Sequence, residues 1–216
     1  MLEIIGMNQN KRPYVIVITG GIATGKSAVS SYITKLGFTL LDSDKIVHDG
    51  YLLKGELYHS LIIEFGHAIL DKNNFIDRQI LGKIALNDNA SMIKLNSIVH
   101  KYVVNELIYG INNSNEDTIF LDIPLMFEEK ETLIKLGLMY DEIWLVYVSE
   151  DTQRKRLVNR ANLEHKNINQ TLKILDMQIP IDMKKNLADI VIQNEGTLEE
   201  LHKSIDKLLN LKLTNN

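Results

Sequence analysis

The run Gly20-Gly21-Ile22-Ala23-Thr24-Gly25-Lys26-Ser27 follows directly on the apolar stretch Tyr14–Thr19, YVIVIT. It fits the pattern G-x-x-x-x-G-K-[S/T]. Backbone N–H groups can wrap a phosphate chain only where side chains do not obstruct and φ is unrestricted, which calls for glycine. A helix opening at Ser27 aims its unpaired amides and positive dipole end at the same anion. Lys26 adds a positive charge for the β- and γ-phosphate oxygens, and the Ser27 hydroxyl can ligate the Mg²⁺ that accompanies ATP. The loop therefore demands a strand before it and a helix after it. A short, β-branched, almost wholly apolar strand such as Tyr14–Thr19 suits a position buried on both faces of a parallel sheet.

The rest of the chain agrees with that demand. Ser27–Leu36 reads as a helix, with Gly37 just past its end as a left-handed cap. A second strand is expected at Phe38–Leu41, ending at Asp42-Ser43-Asp44. From there to Asn115 the pattern is helical; Met92, Leu95, Val99, Tyr102, Val103 and Leu107 fall on one helix face. Further strands are expected at Thr118–Ile123, Ile143–Val148 and Ile190–Ile192. Helices are expected at Glu129–Leu138, from Glu150, at Asn169–Gln178 and at Leu198–Leu209. Strands alternating with helices predict an α/β fold: a P-loop, doubly wound, parallel five-stranded sheet with an inserted helical lobe and a helical lid. The expected division is an N-terminal extension (1–13) and one kinase-like domain (14–216), with core (14–44, 116–148, 180–216), lobe (45–115) and lid (149–179).

The chain has 216 residues and no cysteine, which excludes disulfides, thiolate metal sites and a cysteine nucleophile. A formal charge of −4 and a pI near 5.9 speak against a general nucleic-acid binder. Residues 1–13 do not read as a secretory signal, and no apolar stretch approaches the roughly 18–20 residues needed to span a bilayer. The expected location is the cytoplasm, with no membrane partner.

The guanine-reading N-K-x-D element of GTPases is missing. Ile119-Phe120-Leu121-Asp122 resembles the acidic strand end of motor-type ATPases but lacks their glutamate; Asp122 could help with Mg²⁺, and the choice between it and Asp42 stays open. A small-molecule kinase fits better. Asp44, at a strand's carboxyl end, suits a base that accepts a hydroxyl proton, with Asp42 in support; capping the next helix is the simpler role for such an aspartate. Only five of the 24 basic residues are arginine, and Arg154, Arg156 and Arg160 lie within eight positions. Arg156 and Arg160 share a helix face and suit planar phosphate contacts from a lid, whereas Arg154 is offset toward the surface.

With these pieces in place, the chain resembles the dephospho-coenzyme A kinase family from Tyr14 to about Leu209. The resemblance rests on Thr19–Ser27, on Asp42-Ser43-Asp44, on His100, and on Pro124-Leu125-Met126-Phe127-Glu128. It continues through Gln153, Arg156 and Arg160, then Gln178, Asp189 and Asn194. It implies transfer of phosphate from ATP to the ribose 3′-hydroxyl of dephospho-coenzyme A, with Mg²⁺, Asp44 as base, and Lys26 and Arg156 at the transferring group. Gly20 to Ser27, Arg160 and Asn194 would bind the nucleotide. The helical lobe with Asp42, His100, Phe127 and Glu128 would hold the acceptor. Ala23, Ala28 and Lys101 depart from the family pattern, and Ala23 is tolerable only if φ there is below zero. Another P-loop small-molecule or nucleoside monophosphate kinase, and a non-enzymatic nucleotide switch, remain open at this stage.

Overall fold

Every other residue of the central strands points to the same side, and this alternation builds two cores. The computed structural model describes residues 12–52 and 54–213. Its strands are β1 (Tyr14–Gly20), β2 (Leu40–Asp42), β3 (Thr118–Asp122), β4 (Glu142–Tyr147) and β5 (Ile190–Gln193). They form one sheet in the order β2-β3-β1-β4-β5, with every pair parallel. The helices are α1 (Lys26–Lys35), α2 (Ser43–Leu52), α3 (Glu56–Phe65), α4 (Arg78–Leu86) and α5 (Asn89–Asn112). After β3 come α6 (Met126–Lys135), α7 (Glu150–Leu163), α8 (Ile168–Asp176), α9 (Ile181–Lys185) and α10 (Leu198–Leu213).

Ile16, Ile18, Phe120, Trp144 and Val146 face Val29 and Ile33 of α1 and Leu201 and Ile205 of α10. Val15, Val17, Ile119, Leu121, Ile143 and Leu145 face Val103, Leu107 and Ile111 of α5 and Met126 and Leu133 of α6. Each such aliphatic side chain contributes about 1.5–3 kcal/mol through burial. This is why the strands read as continuous apolar runs: both faces are covered. No helix among the described residues is long and apolar enough to cross a membrane.

Between β2 and β3 the chain forms a helical unit with its own core. Tyr51, Leu57, Tyr58, Leu61, Ile69, Ile76 and Leu81 cluster there, against Val99 and Tyr102 of α5. Asp77 caps α4 by accepting from the N–H groups of Gln79 (2.8 Å) and Ile80 (3.0 Å), and Asp88 caps α5 by accepting from Ser91 (2.8 Å). A Cβ at Gly50 would lie 2.6 Å from the Tyr102 ring, so the close approach of α2 to α5 depends on that glycine.

The expected second strand begins two residues too early, at Phe38. The Phe38 N–H donates to the Ile33 carbonyl (3.3 Å) and the Gly37 N–H to that of Thr34 (3.0 Å), with Gly37 at φ 95°. This is a Schellman cap, so Phe38 closes α1 and β2 starts at Leu40. The same pairing, from Gly137 to Ile134 and Leu138 to Leu133, ends α6 at Lys135. The helix expected at Glu129–Leu138 therefore lies three residues further toward the N-terminus. The short α9 was not anticipated. Of the expected extension, residues 1–11 lie outside the described part.

Candidate active site

The carboxyl edge of the sheet gathers the chemistry-bearing residues. Gly20 ends β1, Asp42 ends β2 and Asp122 ends β3, and Asp122 is in register with both Ile18 and Asp42. The order β2-β3-β1-β4-β5 sends the chain to either side of β1, and a crevice at that edge is where such sheets bind ligands.

The glycine-rich loop is fastened from outside. The Asn194 side-chain amide donates to the Thr24 carbonyl (2.8 Å), and that of Gln153 donates to the Ile22 carbonyl (2.8 Å). The Ile22 N–H donates to Gln178 Oε1 (3.1 Å), and the Thr24 hydroxyl donates to the Gly21 carbonyl (2.9 Å). A Cβ at Gly25 would collide with the Asn194 amide and one at Gly21 with that of Gln153, so these glycines are required by their neighbours. Gly25 also has φ 92° as the residue before α1. The expectation for Ala23 needs correcting. Its φ is +64°, inside the left-handed region, because the loop must turn there whichever residue is present.

The Lys26 ammonium pairs with Asp122, and Ser30 Oγ donates to the other Asp122 oxygen (2.6 Å). Asp122 is buried, so Lys26 and Ser30 compensate its charge. Asp44, in the first turn of α2, opens to the cleft. The protein walls around its carboxyl thin the solvating water and raise its pKa above the ordinary aspartate value. Lys26 pulls it back, while the Asp42 and Asp122 charges push it further up. Asp42 accepts from the Lys45 N–H (3.0 Å) and so caps α2; it does not line the cleft.

The cleft has a volume of about 460 Å³ and is lined by Gly20 to Ala23, Gly25 to Ser27, Asp44, Pro124, Arg156, Arg160 and Gln178. Lys26 and Asp44 thus share one cavity. Arg156 is aimed by a bond from its Nη2 to the Asn194 carbonyl (2.8 Å), and Arg160, one helical turn on, is exposed at the rim. Arg154 lies at the surface with Glu150 (3.0 Å) and Asp176 (3.1 Å), in keeping with its offset along α7. Asn194 is buried behind the loop, and Asp189 fastens β5 to β4 by accepting from the Ile143 N–H (2.7 Å).

A second, mainly apolar cavity of about 170 Å³ adjoins the first and shares Asp44 and Pro124 with it. His100, Val99 and Val103 of α5 line it, with Leu125, Glu129 and Leu133 opposite. His100 Nδ1 is 3.7 Å from a Glu129 carboxylate oxygen. Phe127 and Glu128 are not brought here. Phe127 is packed in the core beneath α6, and Glu128 reaches Lys184 and the Ile179 N–H instead. Positions 125, 129 and 133 recur every four residues and share one helix face, whereas 127 and 128 point elsewhere. That periodicity was the signal in the sequence for Glu129, and for Leu125 and Leu133 beside it.

The donor set also bears on a metal ion. The Ser27 hydroxyl and the Asp44 carboxylate line the cleft, and the described residues contain no group of three or more acidic or histidine side chains able to hold a metal. Such hard and incomplete oxygen ligation fits Mg²⁺, which keeps several waters and takes the rest of its ligands from substrate phosphates.

The family model described as dephospho-CoA kinase (CoaE) matches residues 14–200. A dephospho-CoA kinase of Carboxydothermus hydrogenoformans is 39% identical over 198 residues, covering 90% of this chain and 92% of that protein. The crystal structure of TT1252 from Thermus thermophilus superposes with a TM-score of 0.75 at 26% identity, covering 93% of this chain and 98% of its own. A dephospho-CoA kinase from Campylobacter jejuni shares the fold, with a TM-score of 0.61 at 23% identity, covering 93% of this chain and 97% of its own.

Proposed function

This chain belongs to the dephospho-CoA kinase family, and from that membership we propose that its cleft moves the γ-phosphoryl group of ATP onto the ribose 3′-hydroxyl of dephospho-CoA, with Asp44 as the base. The observation that carries the assignment is that Asp44 lines both the phosphate cleft and the adjoining apolar cavity. An alcohol lodged in the second cavity meets a phosphoryl group lodged in the first beside that carboxylate.

Gly20 to Ser27 hold the ATP phosphates through backbone amides and the start of α1, with Asn194 acting from behind through Thr24. The Ser27 hydroxyl would help to hold Mg²⁺, and the ion would supply positive charge against the phosphoryl oxygens. Asp44 accepts the proton of the 3′-hydroxyl as its oxygen bonds to the γ-phosphorus and the bond from that phosphorus to the β-phosphate oxygen breaks, releasing ADP. Its raised pKa makes it a better proton acceptor than an ordinary aspartate. Lys26, Arg156 and Arg160 offset the charge on the moving group. The helical lobe (45–115), with His100 facing the second cavity, receives the acceptor, and the region 149–179 closes over the phosphates to exclude water. Dependence on ATP favours a cytoplasmic location.

The test is a coupled ADP-release assay over a panel of acceptors. Turnover should require dephospho-CoA and be absent with nucleoside monophosphates. Asp44→Asn should lower kcat at least ~100-fold with ATP binding retained. Near-normal turnover in that variant removes Asp44 from the chemistry, and equal rates with nucleoside monophosphates overturn the acceptor assignment.

A further inference from the structure

Glu128 neighbours the cavity-lining Glu129 on α6 but turns to the other side of the helix. Its Oε1 accepts from the Ile179 N–H (3.1 Å) and lies 2.7 Å from Lys184 Nζ of α9. The Lys184 side chain is 0% exposed. A fully buried lysine contributes nothing to solubility, and a buried ion pair is seldom more stabilising than apolar side chains of the same volume. Its geometry suggests another use.

Ile179 is joined by one peptide bond to Gln178, whose Oε1 accepts from the Ile22 N–H of the phosphate loop and whose side chain lines the cleft. The start of α6 is itself tied to the sheet, because the Thr19 hydroxyl of β1 donates to the Pro124 carbonyl (3.2 Å). An unbroken path therefore runs from the sheet through Glu128 to the segment between α8 and α9, and from there to the loop. We propose that Glu128 and Lys184 are positioning residues of the nucleotide site: together they set Gln178 against Ile22, and neither touches the acceptor. This rests on the phosphate-cleft reading above and extends it to Lys184 and to Glu128, which the resemblance had given to the acceptor.

The experiment compares wild type, Glu128→Leu/Lys184→Met, Gln178→Ala and the triple variant. The pair is changed together so that no buried charge is left alone. Steady-state constants for ATP and dephospho-CoA are measured, with direct ATP binding by calorimetry. KM and Kd for ATP should rise about five- to tenfold in the pair variant, the worth of one hydrogen bond to the loop. KM for dephospho-CoA should stay within about twofold, and adding Gln178→Ala should produce little further change, because coupled residues are not additive. A rise confined to the dephospho-CoA constant, unchanged ATP constants with a lowered Tm, or full additivity with Gln178→Ala each overturns the proposal. If the pair variant does not fold, Glu128→Asp keeps the charge but shortens its reach, and should weaken ATP in the same direction. ATP binding is read without turnover, so a wild type inactive toward dephospho-CoA would refute the assigned acceptor and leave this coupling separately measurable.

Discussion

Ala23 carries a methyl group on backbone in the left-handed region, where an L-residue is disfavoured by about 1 kcal/mol. Ala23→Gly should remove that strain against a smaller loss from the freer unfolded chain, a net gain of about 0.5 kcal/mol. The check is a higher urea midpoint at unchanged slope; a lower midpoint would mean that the methyl packs usefully. At Asp44 the sign follows from the cause: burial raises the pKa, so the carboxylate gains its proton, and stops serving as base, at a pH above the ordinary aspartate value. The acid limb of kcat/KM against pH should therefore lie above 3.8 and disappear in Asp44→Asn. That Lys26, Ser27 and Asp44 line one cleft was legible because their positions follow from a local pattern at a strand end. Phe127 and Glu128, which the resemblance assigned to the acceptor, face the core and Lys184 instead, because the phase of α6 from Met126 turns them away from the second cavity.

The element that matters most is the join between β1 and α1. Its loop is held by Gln153 of α7, by Gln178 after α8 and by Asn194 after β5, all distant in sequence. Asn194→Ala would leave the buried Thr24 carbonyl without its donor, at a cost of about 1–3 kcal/mol. It should also weaken ATP binding, since the loop then loses a support, while the Asn194 backbone carbonyl that Arg156 bonds stays in place. Thermal melting and an ATP titration measure both effects, and a stable variant with unchanged ATP affinity would contradict the role. Helix existence was readable from apolar spacing. Boundaries were readable only in part: Gly37 was correctly taken as a cap, but its Schellman pairing draws Phe38 out of β2. The five residues of α9 were too few to show a periodicity.

Across the whole molecule, binding and folding are linked. Nucleotide held by the loop should stabilise the native state by about 2.7 kcal/mol at 100 times its Kd. Most of the rise in Tm with ATP should vanish in Lys26→Ala; an undiminished rise would place the phosphates elsewhere. The sequence alone determined the α/β class, the number of strands, the phosphate loop and the presence of a carboxylate beside it, because each is set by local physics: two-sided apolar strands, amides freed by glycine, an acidic residue at a strand end. Only the tertiary structure decided the strand order, the outside supports of the loop, the second cavity beside Asp44 and the path from Lys184 to Ile22. Those depend on which side of the sheet each crossover takes and on helix phase, and both are fixed by packing between residues far apart in the chain.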